Sequence, residues 1–439
     1  MDITEKRTHI VCLIILTIGL LLKLIYAWQV PYNISPHDLD EISNWIEIKN
    51  GHLGYIQYLF QFKSLPAELS NQFYHPPLFY MIGAVIFQFA LAEKTVPAAI
   101  NAFEIIQYIN MIFSFITTIY IYRIFKKLPI KPIWLVLTTA FITLQPCFYI
   151  IGTEINNDCL MTMFSTMAIF YTVSWIQNQS MKNACFIVIS VIAAMLSKTS
   201  GALIAVCISC VFLYAFVRTK NKNILVQFFI FVLSVVTLGM SWILRCKILH
   251  HTPLIYVPKL ANDSPQYVGN STLLQRIGLP SFEQLFGNSI DFSNSTEFSN
   301  IWGQLAITMS FDEYILHINS AIEQCAATNL LWLNIIMFIL MTIIMIKMFF
   351  IKNIKPEYKI LIGVGFATLM GSFLKFVFDY PHICSMNFRY IVCSIIFLGM
   401  ALGLERSQQE KFRTTSTLIL VSLVLIITTL SSILYLIAV

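Results

Sequence analysis

The sequence predicts an all-α protein that crosses a membrane many times, with about eleven transmembrane helices. Of its 439 residues, 57% are hydrophobic and only 11% are charged. The apolar residues fall into many runs of about 20 residues, the length at which an α-helix crosses the hydrocarbon core of a bilayer. We therefore expect a polytopic helical membrane protein, because no soluble fold needs so many runs of this length.

The basic residues predict the topology. Lys6 and Arg7 precede the first apolar run, so we expect the N-terminus in the cytoplasm. The other basic clusters are assigned to the same side, and they comprise Arg123, Lys126, Lys127 and Lys131; Arg218, Lys220 and Lys222; Lys347, Lys352, Lys355 and Lys359; and Arg406, Lys411 and Arg413. The net charge of +6 comes from short clusters and not from one continuous basic surface, so we expect no nucleic-acid partner.

Consistent crossing between these clusters gives the order of the spans. One apolar segment, 78–91, does not fit, because a crossing there would place the cluster at 123–131 outside. We expect this segment to be a re-entrant or interfacial helix. The predicted crossings are 9–30, 99–122, 132–151, 158–177, 184–198, 200–217, 224–245, 328–350, 357–378, 389–404 and 415–437.

Two long loops are predicted on the outer face, at 31–75 and 246–327. Both carry enough polar, aromatic and turn residues to form small caps on the membrane surface. In the first loop, apolar residues from Ile42 to Ile48 have the spacing of an amphipathic juxtamembrane helix. We expect charge-dependent chemistry on this outer face, because most of the acidic residues lie there.

The first candidate site is the acidic run that contains Asp38, Asp40 and Glu41. Carboxylates are costly near a bilayer unless they meet water, a cation or a substrate. Their clustering in a chain with few charges predicts an active site. The alternative is that these acids only cap a surface helix near its positive end.

The second candidate is His75, which precedes two prolines and Leu78. The prolines stiffen the start of the following apolar helix and restrict the direction of His75. This arrangement suits a substrate-binding side chain. A proline pair at this position can equally mark only the start of a helix.

The third candidate is the segment 152–158, which the topology returns to the outer face. Glu154 and Asp158 are four residues apart, so they would share one face if the segment were helical. Both carboxylates could then approach a cation. The alternative is a polar hairpin in which Asp158 is the N-cap of the next span.

The fourth candidate is a pair of cations near the outer ends of predicted helices, Lys198 and Arg389, the latter followed by Tyr390. A guanidinium binds phosphate oxygens through two parallel hydrogen bonds, and an ammonium supplies a point charge. Both residues therefore suit an anionic ligand. Alternatively, each side chain extends to the lipid headgroups.

Together these residues resemble the GT-C superfamily of membrane glycosyltransferases. Asp40-Glu41 in the first outer loop, the His-Pro-Pro-Leu run at 75–78 and an acid after the third crossing look most like protein O-mannosyltransferases and aminoarabinose-transferase-like enzymes. Lys198 and Arg389-Tyr390 also occur in the wider group. The resemblance is strongest over about 1–220, and it implies a GT-C-type transmembrane module there and a variable transmembrane half over 221–439.

This resemblance implies an enzyme that uses a polyprenyl-phosphate-linked sugar. The sugar would pass to an acceptor hydroxyl of a glycan, lipid or protein on the outer or luminal face, with inversion. The membrane would be the plasma membrane in a bacterium and the endoplasmic reticulum in a eukaryote. Phe79-Tyr80 follow the His-Pro-Pro-Leu start where O-mannosyltransferases often have Gly-Lys, and no inserted soluble domain is visible.

The resemblance also implies roles for individual residues. Asp40 is the expected base, and Glu41 or Asp38 orients it. Lys198 and Arg389 neutralise the leaving phosphate. Further expected contributions are catalysis by Asp158, substrate binding by His75 and Tyr390, and a divalent cation held by Asp40, Glu154 or Asp158.

Two other classes of function are open. A secondary transporter or lipid-linked-sugar flippase would use carboxylates and cations to line a pathway. Such carriers usually place their ionisable residues near the bilayer midplane and often contain inverted repeats, whereas here the acids cluster in outer loops and no repeat is visible. A non-catalytic membrane scaffold would need no cavity lined by these residues.

Overall fold

In the computed structural model, the regular structure of the described residues is helical, which confirms the all-α class. Tyr267 and His382 form an isolated β-bridge, and the described part of the chain contains no strand. The structure describes residues 3–32, 51–91, 93, 95–280, 299–311, 320–409 and 415–437.

The α-helices of these ranges are numbered in chain order. The first group is α1 (Ile3–Gln29), α2 (His52–Phe62), α3 (Leu78–Ala90), α4 (Val96–Lys127), α5 (Pro132–Thr143), α6 (Pro146–Thr153), α7 (Asp158–Gln177), α8 (Met181–Ser197) and α9 (Ala202–Thr219). The second group is α10 (Lys222–Ser234), α11 (Ser241–His250), α12 (Leu273–Ile277), α13 (Ile301–Ser310), α14 (Ala321–Met348), α15 (Pro356–Asp379), α16 (Ser394–Ser407) and α17 (Thr415–Ile437).

Eight helical segments of the described residues are long and apolar enough to cross a membrane. They are Glu5–Gln29, Val96–Lys127, Asp158–Gln177, Thr199–Thr219, Lys222–Gly239, Ala321–Met348, Pro356–Asp379 and Thr415–Leu434. Two helix pairs bent by 42°, Pro132–Thr143 with Pro146–Thr153 and Ile383–Ile391 with Ser394–Ser407, raise the number to ten if each pair is one span. The multi-pass prediction is confirmed, and the number of about eleven stays a prediction.

The apolar segment at 78–91 forms a helix that is too short to be counted among these spans. It is α3, of 13 residues, and it packs against α2 from the first loop. Tyr55, Phe79, Tyr80 and Phe87 are all buried in their shared core. Burial of an aromatic or aliphatic side chain of this size contributes about 1.5–3 kcal/mol. The end of the first loop is therefore a packed structure, while the juxtamembrane helix predicted around 42–48 lies outside the described residues.

The chain divides into two compact units that alternate along the sequence. Unit 1 comprises Met1–Tyr26, Ile121–Ile150 and Lys259–Val439, and unit 2 comprises Ala27–Tyr120 and Ile151–Pro258. Each unit therefore combines segments that are far apart in sequence. The predicted GT-C-type module over 1–220 and variable half over 221–439 stay predictions.

Unit 1 contains a close contact at a helical glycine and a row of buried polar side chains joined by hydrogen bonds. A Cβ added at Gly399 of α16 would lie 2.7 Å from the Ile142 side chain, so only glycine fits there without a shift. In the same unit, Gln145 donates to Asn334 at 3.2 Å and Asn334 donates to Ser310 at 2.9 Å. These bonds supply partners for amide groups that would be costly to bury alone.

Unit 2 contains a π-helical segment, Val235–Gly239, between α10 and α11. A Cβ at Gly239 would lie 2.7 Å from the Met195 sulfur, so the backbone passes close to α8 at this point. π-Helical turns inside α-helices are rare and are found frequently at functional sites. The predicted span 224–245 is thus interrupted, and α11 begins just after the interruption.

Candidate functional site

A buried ion pair lies at the start of α7 in unit 2. The Lys198 ammonium nitrogen is 2.6 Å from Oδ1 of Asp158, and the side chains are 10% and 2% exposed. Asp158 is the first residue of α7, where a negative charge interacts favourably with the helix dipole. Lys198 directly follows α8 in extended conformation. The structure therefore brings together two of the residues that the sequence predicted for the site.

Asparagine side chains hold the segment between α6 and α7. The Oδ1 atom of Asn156 accepts the backbone N–H of Asp158 at 2.9 Å. The amide of Asn157 donates to the Ser197 carbonyl at 3.0 Å, one residue before Lys198. Asparagine competes well with helical hydrogen bonding through such local contacts. These two bonds position both partners of the ion pair.

The hypothesis that Glu154 and Asp158 share a helix face depended on the segment 152–158 being helical. Residues 154–157 form a bend between α6 and α7, so Glu154 and Asp158 do not share a helix face. Asn110 of α4 donates to the backbone carbonyls of Glu154 and Asn156, and Asn156 in turn donates to the Glu154 carboxylate. Hydrogen bonds from a side chain of a distant helix satisfy carbonyls of the bend, which stabilises it in place of helical hydrogen bonds. Such contacts cannot be read from local spacing.

Asp158 is also not the N-cap of α7, because Asn157 occupies that position. Its carboxylate is turned to Lys198, so the ion pair and not helix capping accounts for the acid at this position. Removing one partner of a buried ion pair leaves an uncompensated buried charge, which costs about 3–5 kcal/mol.

His75 lies in a buried group of aromatic and imidazole rings. The ring of His52 stacks parallel to that of His75, with centroids 6.0 Å apart, and its Nδ1 atom is 2.8 Å from the Tyr80 hydroxyl. Tyr55 stacks on Tyr80 at 4.1 Å. His75 is therefore held in a fixed position at the end of the first loop, next to the start of α3. Sequence reasoning missed His52, because no motif surrounds it and only the fold brings it to His75.

Arg389 and Tyr390 lie in unit 1, in a short 3₁₀ segment, Phe388–Ile391. The Asn387 side chain accepts the backbone N–H of Arg389 at 2.8 Å. The Arg389 guanidinium donates to the Tyr390 hydroxyl at 3.2 Å. Counted over the whole residue, Arg389 and Lys198 are each 8% exposed. Burial to this degree is not expected of a side chain that extends to lipid headgroups.

The acidic run of the first loop, with Asp38, Asp40 and Glu41, lies outside the described residues. Its catalytic role and its share in a metal site stay predictions. Among the residues that the structure describes, no group of three or more His, Cys, Asp or Glu side chains could hold a metal ion. Asp158 already contacts the Lys198 ammonium, which supplies a positive charge at that carboxylate.

A protein-family model matches part of the chain. The family is described as dolichyl-phosphate-mannose-protein mannosyltransferase, and the match covers residues 75–243, which is less than half of the chain. The matched stretch contains His75, Glu154, Asp158 and Lys198, whereas the acidic run and Arg389 lie outside it. No curated protein shows a significant match. This similarity supports membership of the GT-C superfamily. Together with the apolar helices, it supports a membrane glycosyltransferase. The matched family suggests that the sugar donor is linked to a polyprenyl phosphate.

Proposed function

We propose that the protein transfers a sugar from a polyprenyl-phosphate-linked donor to an acceptor hydroxyl on the outer or luminal face, with inversion. The observation that carries the proposal is the buried pair of Asp158 and Lys198, which lies inside the stretch similar to the mannosyltransferase family. A buried, ordered cation suits a reaction in which negative charge develops on a leaving phosphate.

The ion pair supports a specific role for each partner. Asp158 fixes the direction of the Lys198 ammonium, which is 2.6 Å away. An ammonium has three donors, so a lysine held by a carboxylate can also contact a phosphate oxygen. In the proposed reaction Lys198 stabilises the leaving polyprenyl phosphate, and Asp158 positions Lys198. Arg389, with Tyr390, is proposed to bind the donor, and His75 to contact the substrate.

The proposed base is Asp40, oriented by Glu41 or Asp38. The acceptor hydroxyl gives its proton to the Asp40 carboxylate while its oxygen forms a bond to the anomeric carbon. The bond from that carbon to the phosphate oxygen breaks, and its electron pair leaves with the polyprenyl phosphate. Attack opposite the leaving group inverts the anomeric centre, as in inverting glycosidases where water is the nucleophile.

A divalent cation is a further part of the proposal. Asp40, Glu154 or Asp158 would hold it, and it would help to neutralise the leaving phosphate. Loss of transfer after dialysis against a chelator, with recovery on addition of Mg²⁺ or Mn²⁺, would support the ion. Full activity in the chelator would remove it from the mechanism.

The decisive experiment measures incorporation of radiolabelled sugar from a polyprenyl-phosphate donor in membranes that contain the protein. The variants are Asp40→Asn, Glu41→Gln, Asp158→Asn and Arg389→Ala. Loss of a single acid-base or charge-stabilising group usually lowers the rate by about two to four orders of magnitude. Normal transfer by all four variants would refute the site. Movement of the donor across the bilayer without transfer would instead indicate a flippase.

A further inference from the structure

α11 contains an arginine that no sequence motif singles out. Arg245 donates from Nη2 to the Pro66 carbonyl at 3.0 Å. One turn earlier, the Trp242 indole donates to the Tyr74 carbonyl at 2.8 Å. α11 therefore contacts the segment before His75 at two points, Pro66 and Tyr74, and Tyr74 directly precedes His75.

Within the described residues, the positive charge of Arg245 has no acidic partner. Its guanidinium carbon is 4.8 Å from the centroid of the Trp242 ring, a distance typical of a cation–π contact. Burial raises the pKa of the Tyr55 hydroxyl above its usual value, and the nearby Arg245 opposes that rise. None of the ion pairs in the described part of the chain includes Arg245.

The same short segment contains buried polar atoms without partners. Nη1 of Arg245, Nε2 of His250 and Oγ1 of Thr252 are buried and have no hydrogen-bond partner among the described residues. Few buried polar atoms in proteins lack a hydrogen-bond partner, and the free-energy cost is especially high when the atom without a partner is a charged donor. The segment 245–252 is therefore suited to hold a polar group that the described side chains do not supply.

We propose that Arg245 binds a phosphate group at α11, beside the end of the first loop. A guanidinium can donate two parallel hydrogen bonds to phosphate oxygens. The Trp242 indole covers one face of the Arg245 guanidinium, so the N–H groups at its edge can still donate to a ligand. The phosphate belongs either to the polyprenyl chain of the sugar donor or to a phospholipid headgroup. The inference rests on the proposed function only for the first of these sources.

The test compares Arg245→Gln and Arg245→Lys with the control Lys247→Gln, which removes an exposed charge from the same helix. The full chain in detergent is titrated with polyprenyl phosphate, with polyprenol of the same length and with phosphatidylglycerol, and binding is measured by native mass spectrometry. Loss of a charge-assisted hydrogen bond of this kind lowers affinity by about ten- to a hundredfold. We expect that loss in Arg245→Gln, a smaller loss in Arg245→Lys and none in Lys247→Gln.

The lipid that shows the loss identifies the source of the phosphate. Polyprenol should bind equally to all variants, because it has no phosphate. Unchanged affinity of Arg245→Gln for both phosphate lipids would overturn the inference. If Arg245→Gln does not fold, Arg245→Lys provides the test, because lysine keeps the charge and a donor but loses the bidentate geometry of the guanidinium. Unchanged binding of the phosphate lipids by Arg245→Lys would also overturn the inference. Phosphate binding through Arg245 without any sugar transfer would refute the proposed function alone.

Discussion

The ion pair at the start of α7 gives the sharpest prediction for stability. Asp158→Asn keeps the size of the side chain but removes the negative charge that lies 2.6 Å from the buried Lys198 ammonium. At 2.6 Å, two unit charges attract by about 6 kcal/mol at an effective dielectric constant of 20, and desolvation offsets part of this. We expect the free energy of unfolding to fall by about 3–5 kcal/mol, as measured for broken buried pairs.

The double variant Asp158→Asn with Lys198→Met separates stability from activity. It removes both buried charges, and such replacements are often neutral or stabilising. The double variant should therefore recover most of the lost stability, which gives a large coupling energy in a double-mutant cycle. Sugar transfer should stay low in the double variant, because the Lys198 ammonium is no longer present to stabilise the leaving phosphate.

An exposed ion pair in α15 provides the matched control. Lys375 and Asp379 are 2.5 Å apart, but their side chains are 73% and 48% exposed. Asp379→Asn should change stability by no more than about 0.5 kcal/mol, because solvent screens the pair. Denaturant unfolding in detergent, followed by tryptophan fluorescence, measures all variants. The reasoning is refuted if Asp158→Asn costs no more than Asp379→Asn, or if the two single changes at the buried pair are additive.

Two further predictions concern packing and capping. Gly152→Ala should destabilise the protein by about 1–3 kcal/mol, because the new Cβ would lie 2.7 Å from the Ser114 Cβ. The control Gly371→Ala should not destabilise it, because no atom lies within 4 Å of the added Cβ. An equal cost for both changes would contradict the packing argument. Asn300→Ala should cost about 1–3 kcal/mol, because Asn300 caps α13 by accepting the Gly303 N–H at 2.9 Å and also donates to two carbonyls at the end of α12. Asn300→Ser should restore the cap but not the bonds to α12, and melting temperatures of the purified variants check both predictions.

The sequence was most informative about apolar spans. The predicted crossings 158–177 and 415–437 agree with α7 and α17, and 357–378 differs from α15 by one residue at each end. These boundaries are visible because a long apolar run ends where polar or charged residues begin. The segment 78–91 was excluded from the crossings because of the basic cluster at 123–131, and the 13 residues of α3 are likewise fewer than a full crossing needs.

Bends inside apolar runs were harder to predict. The runs 132–151 and 389–404 each look like one crossing, but the corresponding helix pairs are bent by 42°. In the first pair the break precedes Pro146, whose ring and missing N–H interrupt helical hydrogen bonding. The hydrophobic pattern alone does not report such a break, because the residues on both sides of it are apolar.

The candidate site was predictable in its charges but not in its supports. Buried charges such as Asp158 and Lys198 stand out in an apolar sequence, since they are expensive in a membrane protein. Asn110 and His52 could not be identified, because asparagine and histidine are common polar residues and their roles depend on partners far away in sequence. Arg245 was overlooked for a similar reason, since it follows an apolar run and resembles an ordinary charge at the end of a span.

The alternation of the two units along the chain has a consequence for biosynthesis. Unit 2, with the pair of Asp158 and Lys198, ends at Pro258, so all of its sequence has been inserted before the last third of the chain is translated. Unit 1 begins at the N-terminus but needs residues up to Val439. Its first helix and the segment 121–150 can pack against each other early, but they can contact the part of unit 1 from Lys259 onwards only after that part has been synthesised. A chain that ends early would contain all of unit 2 but only the N-terminal segments of unit 1. We therefore expect C-terminal truncations to misassemble.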